Sequence, residues 1–279
     1  MIDIDEDYSS VHLTSVRKIT MLTLVPLCLL LGWMLPVDSM AVPFRVPPPA
    51  SNQDIPLSMV ESSVDDMYRG CEPKMKDSVL THYLEKELHD KDFKEAWYDC
   101  VVKEPKENTL TENQIQAICV YTGDLLYREF NEAVRTQGPD YSKLFKFHSL
   151  HFLLTSAIQI LNSDILCYTT YRRSDLKFIG HENQVVRFGF FASSSFKADL
   201  HQFGNKTCFK IKTCLGAFLG DYLVYPHEEE VLIPPYETFR VSEIHTGASA
   251  PRELEDCEVV YELESEAAVS NLNCRALIL

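Results

Sequence analysis

The chain of 279 residues has few basic residues and no long basic run. Lysine and arginine number 26 against 41 aspartate and glutamate residues, and the formal net charge at pH 7 is -15. Proteins that bind the phosphate backbone of nucleic acids present clustered lysine and arginine side chains. We therefore expect no nucleic-acid partner. With 46% hydrophobic residues, the chain is long enough and apolar enough to form a sizeable core.

The sequence also lacks an apolar run long enough to span a membrane comfortably. Its N-terminal apolar segment, residues 21–34, follows Arg17 and Lys18 and precedes small residues at 39–41. This order is typical of a secretory signal peptide, whereas a membrane-spanning helix needs about 20 apolar residues. We predict a signal peptide over residues 1–41 and a secreted, extracellular protein without stable membrane insertion.

Both ends of the chain bear on that prediction. Residues 3–7 are acidic, whereas a signal peptide begins with a positively charged region, so either Met21 is the effective start or the leader is unusual. Membrane association through an uncleaved N-terminal segment is the alternative. At the other end, residues 276–279 are too short an apolar tail for a glycolipid-anchor signal.

Metal-type cysteine spacing and the dinucleotide-binding glycine motif are absent as well. No cysteine pair is arranged as CxxC and no histidines accompany the cysteines at ligand spacing, so we expect no metal. The absence of GxGxxG argues against a Rossmann fold. Eight cysteines follow the predicted signal peptide, an even number that indicates disulfide bonds. Asn205 begins an Asn-Lys-Thr glycosylation sequon.

The first half of the chain has a helical pattern. Residues 42–61 are rich in proline and predict an extended lead-in with little structure of its own. Three- and four-residue apolar spacing then predicts a helix over residues 75–88. Thr111 and Gln114 form a capping-box pair at the start of another. Over residues 150–161 the apolar stripe is wide enough to predict burial on more than one side.

Short β-rich runs follow residue 162. They lie at residues 165–171, 185–192, 208–215, 222–225, 231–233, 239–244 and 259–263. Helices followed by strands predict an α+β domain over residues 62–279. The number of short strands predicts a two-sheet β core, with room for a ligand cleft between the sheets.

Three consecutive glutamates precede the strand predicted at 231–233. In an extended chain the side chains of Glu228 and Glu230 lie on one side and that of Glu229 on the other. Two carboxylates would then project together into whatever that face lines. For an arbitrary glutamate triplet, the ordinary interpretation is a solvated acidic turn.

Two further polar elements precede the glutamates. Arg172 stands at the end of one predicted strand, and Ser193 begins a serine triplet after another. Taken alone, the arginine is more often a surface ion-pair partner, and the serine triplet more often a turn or a strand end. A guanidinium can nevertheless hold phosphate or ribose oxygens in a fork, and a serine hydroxyl can donate and accept at once.

In this order the three elements resemble the R-S-E class of mono-ADP-ribosyltransferases, specifically the vertebrate ecto-enzymes. Residues 65–71 resemble the start of that family and residues 126–135 its helical signature. Residues 213–217 and 228–239 resemble further family segments. The resemblance is collinear over most of the predicted domain and is therefore specific.

The resemblance implies an enzyme that uses NAD+ as a substrate, releases nicotinamide and transfers ADP-ribose to arginines of target proteins. Arg172 is then the R, Ser193 the first serine of the S-x-S element, and Glu228 to Glu230 the E-x-E element that marks arginine specificity. These assignments make Arg172, Ser193 and Glu230 the catalytic and NAD+-binding residues. Glu230 would stabilise the oxocarbenium-like ribose, and Glu228 would orient the acceptor arginine.

Two other functions stay open on the same scaffold. One is an enzyme that mainly hydrolyses NAD+, which would keep Glu230 but need no productive Glu228. The other is a catalytically inactive secreted binding protein, because a fold does not guarantee an activity. Retention of all three elements favours the transferase.

The resemblance also bears on the disulfide bonds. Cys71–Cys274 is the first choice and Cys167–Cys214 the next, and Cys100–Cys119 and Cys208–Cys257 then follow by elimination. The first resembles the bond that ties the two ends of the family domain together. Cysteine spacing alone fixes no connectivity, and a free or intermolecular thiol at Cys208 stays open.

Four aromatic residues near these elements are candidates for contacts with substrates. Tyr222 and Tyr225 precede the glutamates and could contact the target protein, although packing within a turn explains them equally well. Either Phe190 or Phe191 could stack on nicotinamide, and strand alternation buries the other in the core.

Two residues depart from the family pattern. Arg173 stands where glycine is frequent, and a bulky residue beside Arg172 could alter NAD+ affinity if the backbone there approaches the nicotinamide. His227 replaces another frequent glycine, directly before the glutamates. Neither departure removes a reacting group.

Overall fold

The computed structural model describes residues 54–101, 109–123 and 125–277. The predicted signal peptide and most of the predicted lead-in lie outside these residues. Within them the helices come first and the strands second, so the predicted α+β fold is confirmed. No helix in these three ranges is both long and apolar enough to cross a membrane.

A helical layer forms the first half of the fold. Its first helix is interrupted by a π-helical turn (Val79–Tyr83). The capping box of Thr111 and Gln114 starts a later helix, as predicted. The last helix of the layer is buried along most of its length, which its wide apolar stripe predicts. The α-helices are α1 (Glu72–Ser78), α2 (Leu84–Glu87), α3 (Lys91–Asp99), α4 (Glu112–Thr122), α5 (Tyr127–Thr136) and α6 (His148–Leu161).

The strands follow, apart from one short strand near the start. They are β1 (Ile55–Pro56), β2 (Tyr168–Ser174), β3 (Phe178–Ile179), β4 (Val185–Val186), β5 (Ala192–Ser195), β6 (Thr207–Thr213), β7 (Ala217–Phe218), β8 (Glu230–Ile233), β9 (Glu237–Thr246) and β10 (Val259–Ala268). β1 pairs with β3, and the others form a sheet in the order β4-β9-β10-β6-β2-β5-β8-β7. Only β10 and β6 are parallel neighbours within this sheet of the described chain.

The sheet consists of two parts that meet at one residue pair. β2 ends the larger part and β5 begins the smaller part, and Tyr171 pairs with Ser195 across the junction. The two predicted sheets are thus joined through this pair. Because β2 carries Arg172 and β5 carries Ser193, the junction brings two of the predicted site residues onto neighbouring strands.

Two of the predicted strands are wrong in detail. Residues 185–192 form no continuous strand, because β4 pairs with β9 whereas β5 pairs with β8. Gly189 lies between them with φ of 70°, a left-handed conformation that ends a strand and that glycine adopts readily. Residues 222–225 lie between two 3-10 turns (Gly220–Tyr222 and Pro226–Glu228) and form no strand.

The last residues of the predicted lead-in are held against the domain. Ile55 donates its backbone N–H to the carbonyl of Lys177, 2.8 Å away, where β1 meets β3. The backbone N–H of Arg187 donates to the carbonyl of Ser58 at 3.0 Å. Ile55 and Ser58, within the predicted lead-in, are therefore hydrogen-bonded to the rest of the described chain.

Four disulfide bonds join cysteines of the described residues, and all four predicted pairs are observed. These are Cys71–Cys274, Cys100–Cys119, Cys167–Cys214 and Cys208–Cys257. The first spans 203 residues and ties the start of the helical layer to the end of the described chain. Disulfides of this number form and persist in oxidising compartments, which indicates an extracellular protein.

Candidate active site

Strand β2 places Arg172 at the junction of the sheet. Its side chain is buried, and Nη1 donates a hydrogen bond of 2.6 Å to the backbone carbonyl of Ser193 on β5. The guanidinium carbon lies 5.8 Å from the centre of the Phe190 ring. Among the described residues, no carboxylate forms an ion pair with Arg172. A buried charge of this kind is unfavourable unless something pairs with it.

The three serines of β5 are fully buried and have different partners. The Ser193 hydroxyl lies 3.4 Å from the hydroxyl of Tyr121, and the Ser194 hydroxyl donates to the carbonyl of Val231 at 2.8 Å. The Ser195 hydroxyl donates to the carbonyl of Glu228 at 2.5 Å. Ser195 thus holds the glutamate segment against β5, a role that no sequence motif indicated.

The glutamate triplet is the end of a turn and not an extended chain. Glu228 ends a 3-10 turn, Glu229 is left-handed with φ of 48° and ψ of 49°, and Glu230 is the first residue of β8. The side chains of Glu228 and Glu230 are buried. Glu229 is partly exposed, with Lys197 Nζ 3.3 Å from its carboxylate. The predicted separation of one glutamate from the other two is therefore observed, but its predicted cause, strand alternation, is wrong.

Tyr121 on α4 links the helical layer to the site. Its hydroxyl donates to the carbonyl of Phe191 at 2.6 Å and receives a bond of 3.3 Å from the amide of Asn131 on α5. Burial raises the pKa of Tyr121 well above its usual value, and the nearby Tyr127 and the negative charge of Glu230 raise it further. The hydroxyl therefore stays protonated beside Ser193 and Glu230. A polar tip within an apolar helix was the only sequence signal for this residue.

The structure distinguishes the two adjacent phenylalanines. Phe191 is fully buried and stacks on Phe130 of α5 at a centroid distance of 5.6 Å. It also contacts His151 of α6 at 5.2 Å. Phe190 instead lies beside Arg172. Both rings are therefore buried, Phe191 against the helical layer and Phe190 beside Arg172.

Arg173, the first departure from the family pattern, has a structural partner. It forms two hydrogen bonds with Asp256, of 2.8 and 3.0 Å, next to the Cys208–Cys257 disulfide. The bond from Arg173 lowers the pKa of Asp256 to about 2. The bulky side chain is thus engaged with Asp256 and not with Arg172.

The remaining candidates lie on the surface around the glutamates. His227 is exposed, and its ring centre is 6.2 Å from that of Tyr225. Tyr222 and Tyr225 are partly exposed and line a cavity of about 360 Å³ between the turn and helices α3 and α4. The sequon residue Asn205 is exposed, and its side-chain amide donates to the carbonyl of Asp256 at 3.3 Å.

One group of possible metal ligands lies on β9 and β10, in the part of the chain that the structure describes. His245 Nε2 is 3.4 Å from Glu243 and 3.3 Å from Glu262. Lys210 Nζ is 3.2 Å from the same carboxylate of Glu262. Glu262 is thus already paired with Lys210, and we assign no metal to this group.

Comparison with known proteins assigns the family. The family described as "NAD:arginine ADP-ribosyltransferase" matches residues 57–255. Ecto-ADP-ribosyltransferase 5 of Homo sapiens is 37% identical over 212 residues, which cover 67% of this chain and 72% of that protein. The GPI-linked NAD(P)(+)–arginine ADP-ribosyltransferase 1 of Mus musculus is 34% identical over 244 residues, 76% of this chain and 75% of that protein.

A solved structure agrees with this match. The crystal structure of the eukaryotic mono-ADP-ribosyltransferase ART2.2 superposes with a TM-score of 0.65 at 28% identity and covers 79% of this chain and 98% of that one. Mutants of that protein were crystallised in complex with NADH and with NAD. The fold and the site thus define a glycosyl-transferring enzyme. The chain belongs to the NAD:arginine ADP-ribosyltransferase family, which confirms the resemblance found in the sequence.

Proposed function

We propose that this chain transfers the ADP-ribose of NAD+ to arginine side chains of proteins and releases nicotinamide. The observation that carries the proposal is the buried Arg172, which has no carboxylate partner among the described residues and lies beside Ser193. An anionic ligand supplies the missing partner. The complexes of the related ART2.2 mutants with NADH and NAD support NAD+ as that ligand.

Arg172 and Ser193 bind the donor in this proposal. The guanidinium is permanently charged and forked, and it pairs with phosphate or ribose oxygens of NAD+. Its hydrogen bond to the Ser193 carbonyl fixes its direction, while the Ser193 hydroxyl is free to rotate between donor and acceptor roles. Phe190 offers a ring face beside Arg172 on which the planar nicotinamide stacks.

Glu230 acts at the bond that breaks. As the C1′–nitrogen bond to nicotinamide lengthens, positive charge develops on the ribose, and a carboxylate at the 2′-hydroxyl stabilises it. Glu230 is buried at the start of β8, where its charge is little screened by water. It therefore affects every reaction that cleaves NAD+, whether ADP-ribose passes to arginine or to water.

Glu228 acts on the acceptor. A guanidinium is protonated and a poor nucleophile, so a carboxylate that orients it is needed while its nitrogen forms the new bond to C1′ and a guanidinium proton is released. Glu228 is buried at the end of the turn, and its carbonyl is held by Ser195. Loss of this carboxylate impairs transfer and spares hydrolysis.

The acceptor protein approaches over the turn that leads to Glu228. The cavity lined by Tyr222 and Tyr225 is also lined by the acidic residues Asp99 and Asp221. Apolar and aromatic surface next to two acidic groups suits basic segments of a target protein. A target protein bound at this surface would have its arginines near Glu228.

The experiment follows labelled NAD+ with a small guanidino acceptor and measures acceptor labelling and nicotinamide release. Glu230→Gln should lower both by roughly 10²–10³-fold, the usual effect of removing a group that stabilises transition-state charge. Glu228→Gln should lose labelling and retain nicotinamide release. The partly exposed Glu229→Gln is the matched control and should retain both. A wild-type protein that binds NAD+ without either reaction would refute the proposal in favour of a binding protein.

We propose further that the protein is secreted in soluble form after removal of residues 1–41. The disulfides and the exposed Asn205 sequon support export. Expression of the full chain in a secretory cell should give a glycosylated protein in the medium that begins near Val42. Protein that stays with the membrane fraction and retains its N-terminal segment would establish the membrane-associated alternative.

A further inference from the structure

A cavity of about 540 Å³ lies in the helical layer, lined by residues of a different part of the fold from the candidate active site. Its walls come from the end of α1, the π-helical turn, α2, the segment before α6 and the last described residues. Single π-helical turns within α-helices occur frequently at functional sites. The size is within the usual range for small-molecule sites.

The charged residues that line this cavity are all basic, in a protein with a net charge of -15. Lys86, Lys143 and His82 line it, and no carboxylate does among the described residues. Neither Lys86 nor Lys143 forms an ion pair with a described residue. By contrast, Lys146, Lys177 and Lys197 each pair with a carboxylate. Two exposed lysines without an ion-pair partner among the described residues therefore line the cavity.

His148, the first residue of α6, lines the inner side of the same cavity. Its side chain is 5% exposed, and its Nδ1 atom has no hydrogen-bond partner among the described residues. Tyr83 and Phe145 hold the ring, with centroids at 4.4 and 5.2 Å. Burial lowers the pKa of His148 to about 3, with smaller contributions from the neighbouring His151, Lys86 and His82, so the ring is neutral. A buried polar atom of this kind calls for a partner.

From these observations we infer that the cavity is a binding site for a small phosphate-bearing molecule, separate from the NAD+ site. Lys86 and Lys143 pair with the phosphate at the rim, and the His148 ring accompanies the ligand inside. The volume exceeds that of a phosphate ion alone, so it also accommodates an organic part against the rings of Tyr83 and Phe145.

The test uses inorganic phosphate as the probe and the His148 ring as the reporter. The full domain is labelled with ¹⁵N-histidine, and the ring nitrogens are followed by NMR while phosphate replaces chloride at constant ionic strength. The wild type should show a saturable shift of the His148 signal. The His148 signal is specific to this cavity, because phosphate bound at Arg172 would leave it unaffected.

Two double variants complete the test. Lys86→Gln/Lys143→Gln should weaken the phosphate response about tenfold, equivalent to about 1.4 kcal/mol. The control Lys94→Gln/Lys206→Gln removes the same charge from exposed lysines outside the cavity and should bind as the wild type does. The inference is overturned if His148 does not shift, or if both double variants respond equally. Glu230→Gln should retain the response, so failure of the catalytic proposal would not affect the result.

Discussion

Two buried arginines of this molecule have opposite surroundings. Arg187, between β4 and β5, has Nη1 2.8 Å from the carboxylate of Asp65, and both side chains are fully buried. Its other nitrogens donate to backbone carbonyls, among them that of Val60 at 3.1 Å. Arg172 is just as buried, but it has no such carboxylate among the described residues. The first is a structural ion pair, and the second is a cation that needs a ligand.

A buried acidic residue without a cation can become neutral by taking up a proton. Glu87 on α2 accepts bonds from the backbone and the hydroxyl of Ser149, and no described cation pairs with it. Burial raises its pKa to about 8, so it takes up a proton and loses its charge. Arginine cannot lose its proton under these conditions. An unpaired buried arginine is therefore stronger evidence of a binding site than an unpaired buried glutamate.

The structural ion pair should give the largest effect on stability. Asp65→Asn keeps an acceptor for the backbone N–H of Leu272 but leaves the Arg187 charge buried without a partner. The free energy of unfolding should fall by about 3–5 kcal/mol, measured by urea denaturation.

The matched control for that variant removes both charges. Asp65→Asn/Arg187→Met should be more stable than Asp65→Asn alone, because the isolated charge is gone. If Asp65→Asn is as stable as the wild type, the contrast between the two arginines has no energetic basis.

Glu87 should give the second-largest effect on stability, and this effect depends on pH. The pKa of Glu87 is higher in the folded state than the usual 4.5, so the folded protein holds a proton that the unfolded chain releases. Its contribution is fully present below about pH 4.5 and is lost as pH rises towards 8. Against Glu87→Gln, wild-type stability should fall by up to about 1.4 kcal/mol per pH unit in this window. If the free energy of unfolding changes with pH in the same way for both proteins, the raised pKa of Glu87 is contradicted.

The sequence predicted the parts of this fold that local rules decide. The capping box at Thr111 and Gln114 starts α4 because both bonds form within one turn of chain. The strand at 231–233 was found because its apolar run is buried in the middle of the smaller sheet part. The family motifs located Arg172, Ser193 and the glutamates, and the structure brings Arg172 and Ser193 into direct contact.

Long-range contacts decided the parts that the sequence could not predict. The turn before Glu228 resembles a strand in composition, but the Val224 N–H donates to the Thr122 hydroxyl of α4 at 3.4 Å and Gly220 is left-handed. Residues 185–192 divide because Arg187 turns inward to Asp65, 122 residues away in sequence. Neither partner is visible in the local pattern.

Arg172 should affect NAD+ binding more than it affects the stability of the protein. In a Glu230→Gln background, which prevents turnover, Arg172→Gln should weaken NAD+ binding by about 1.5–3 kcal/mol, the usual contribution of a charged hydrogen bond. Titration calorimetry measures this loss. Arg172→Lys should recover part of it, because it restores the charge without the fork.

The stability of the same variant sharpens the comparison with Asp65→Asn. Arg172→Gln removes a buried charge that has no carboxylate partner among the described residues, so the free energy of unfolding should stay within about 1 kcal/mol of the parent or rise. A variant that unfolds readily yet binds NAD+ normally would show that Arg172 has a structural role, as Arg187 does, and no role in binding.

The smallest effect should come from the hydroxyl that connects the helical layer to Ser193. Tyr121→Phe removes the bond to the Phe191 carbonyl and the contact with Ser193, which should lower the stability by about 0.5–1.5 kcal/mol. It should also slow nicotinamide release a few-fold and raise KM for NAD+, because it loosens the strand that fixes the donor-binding Arg172. Tyr127→Phe is the control, since the Tyr127 hydroxyl is buried without a hydrogen-bond partner among the described residues and its ring lies 5.1 Å from that of Tyr121. Equal effects of the two variants on the release rate would mean that the Tyr121 hydroxyl does not position Ser193.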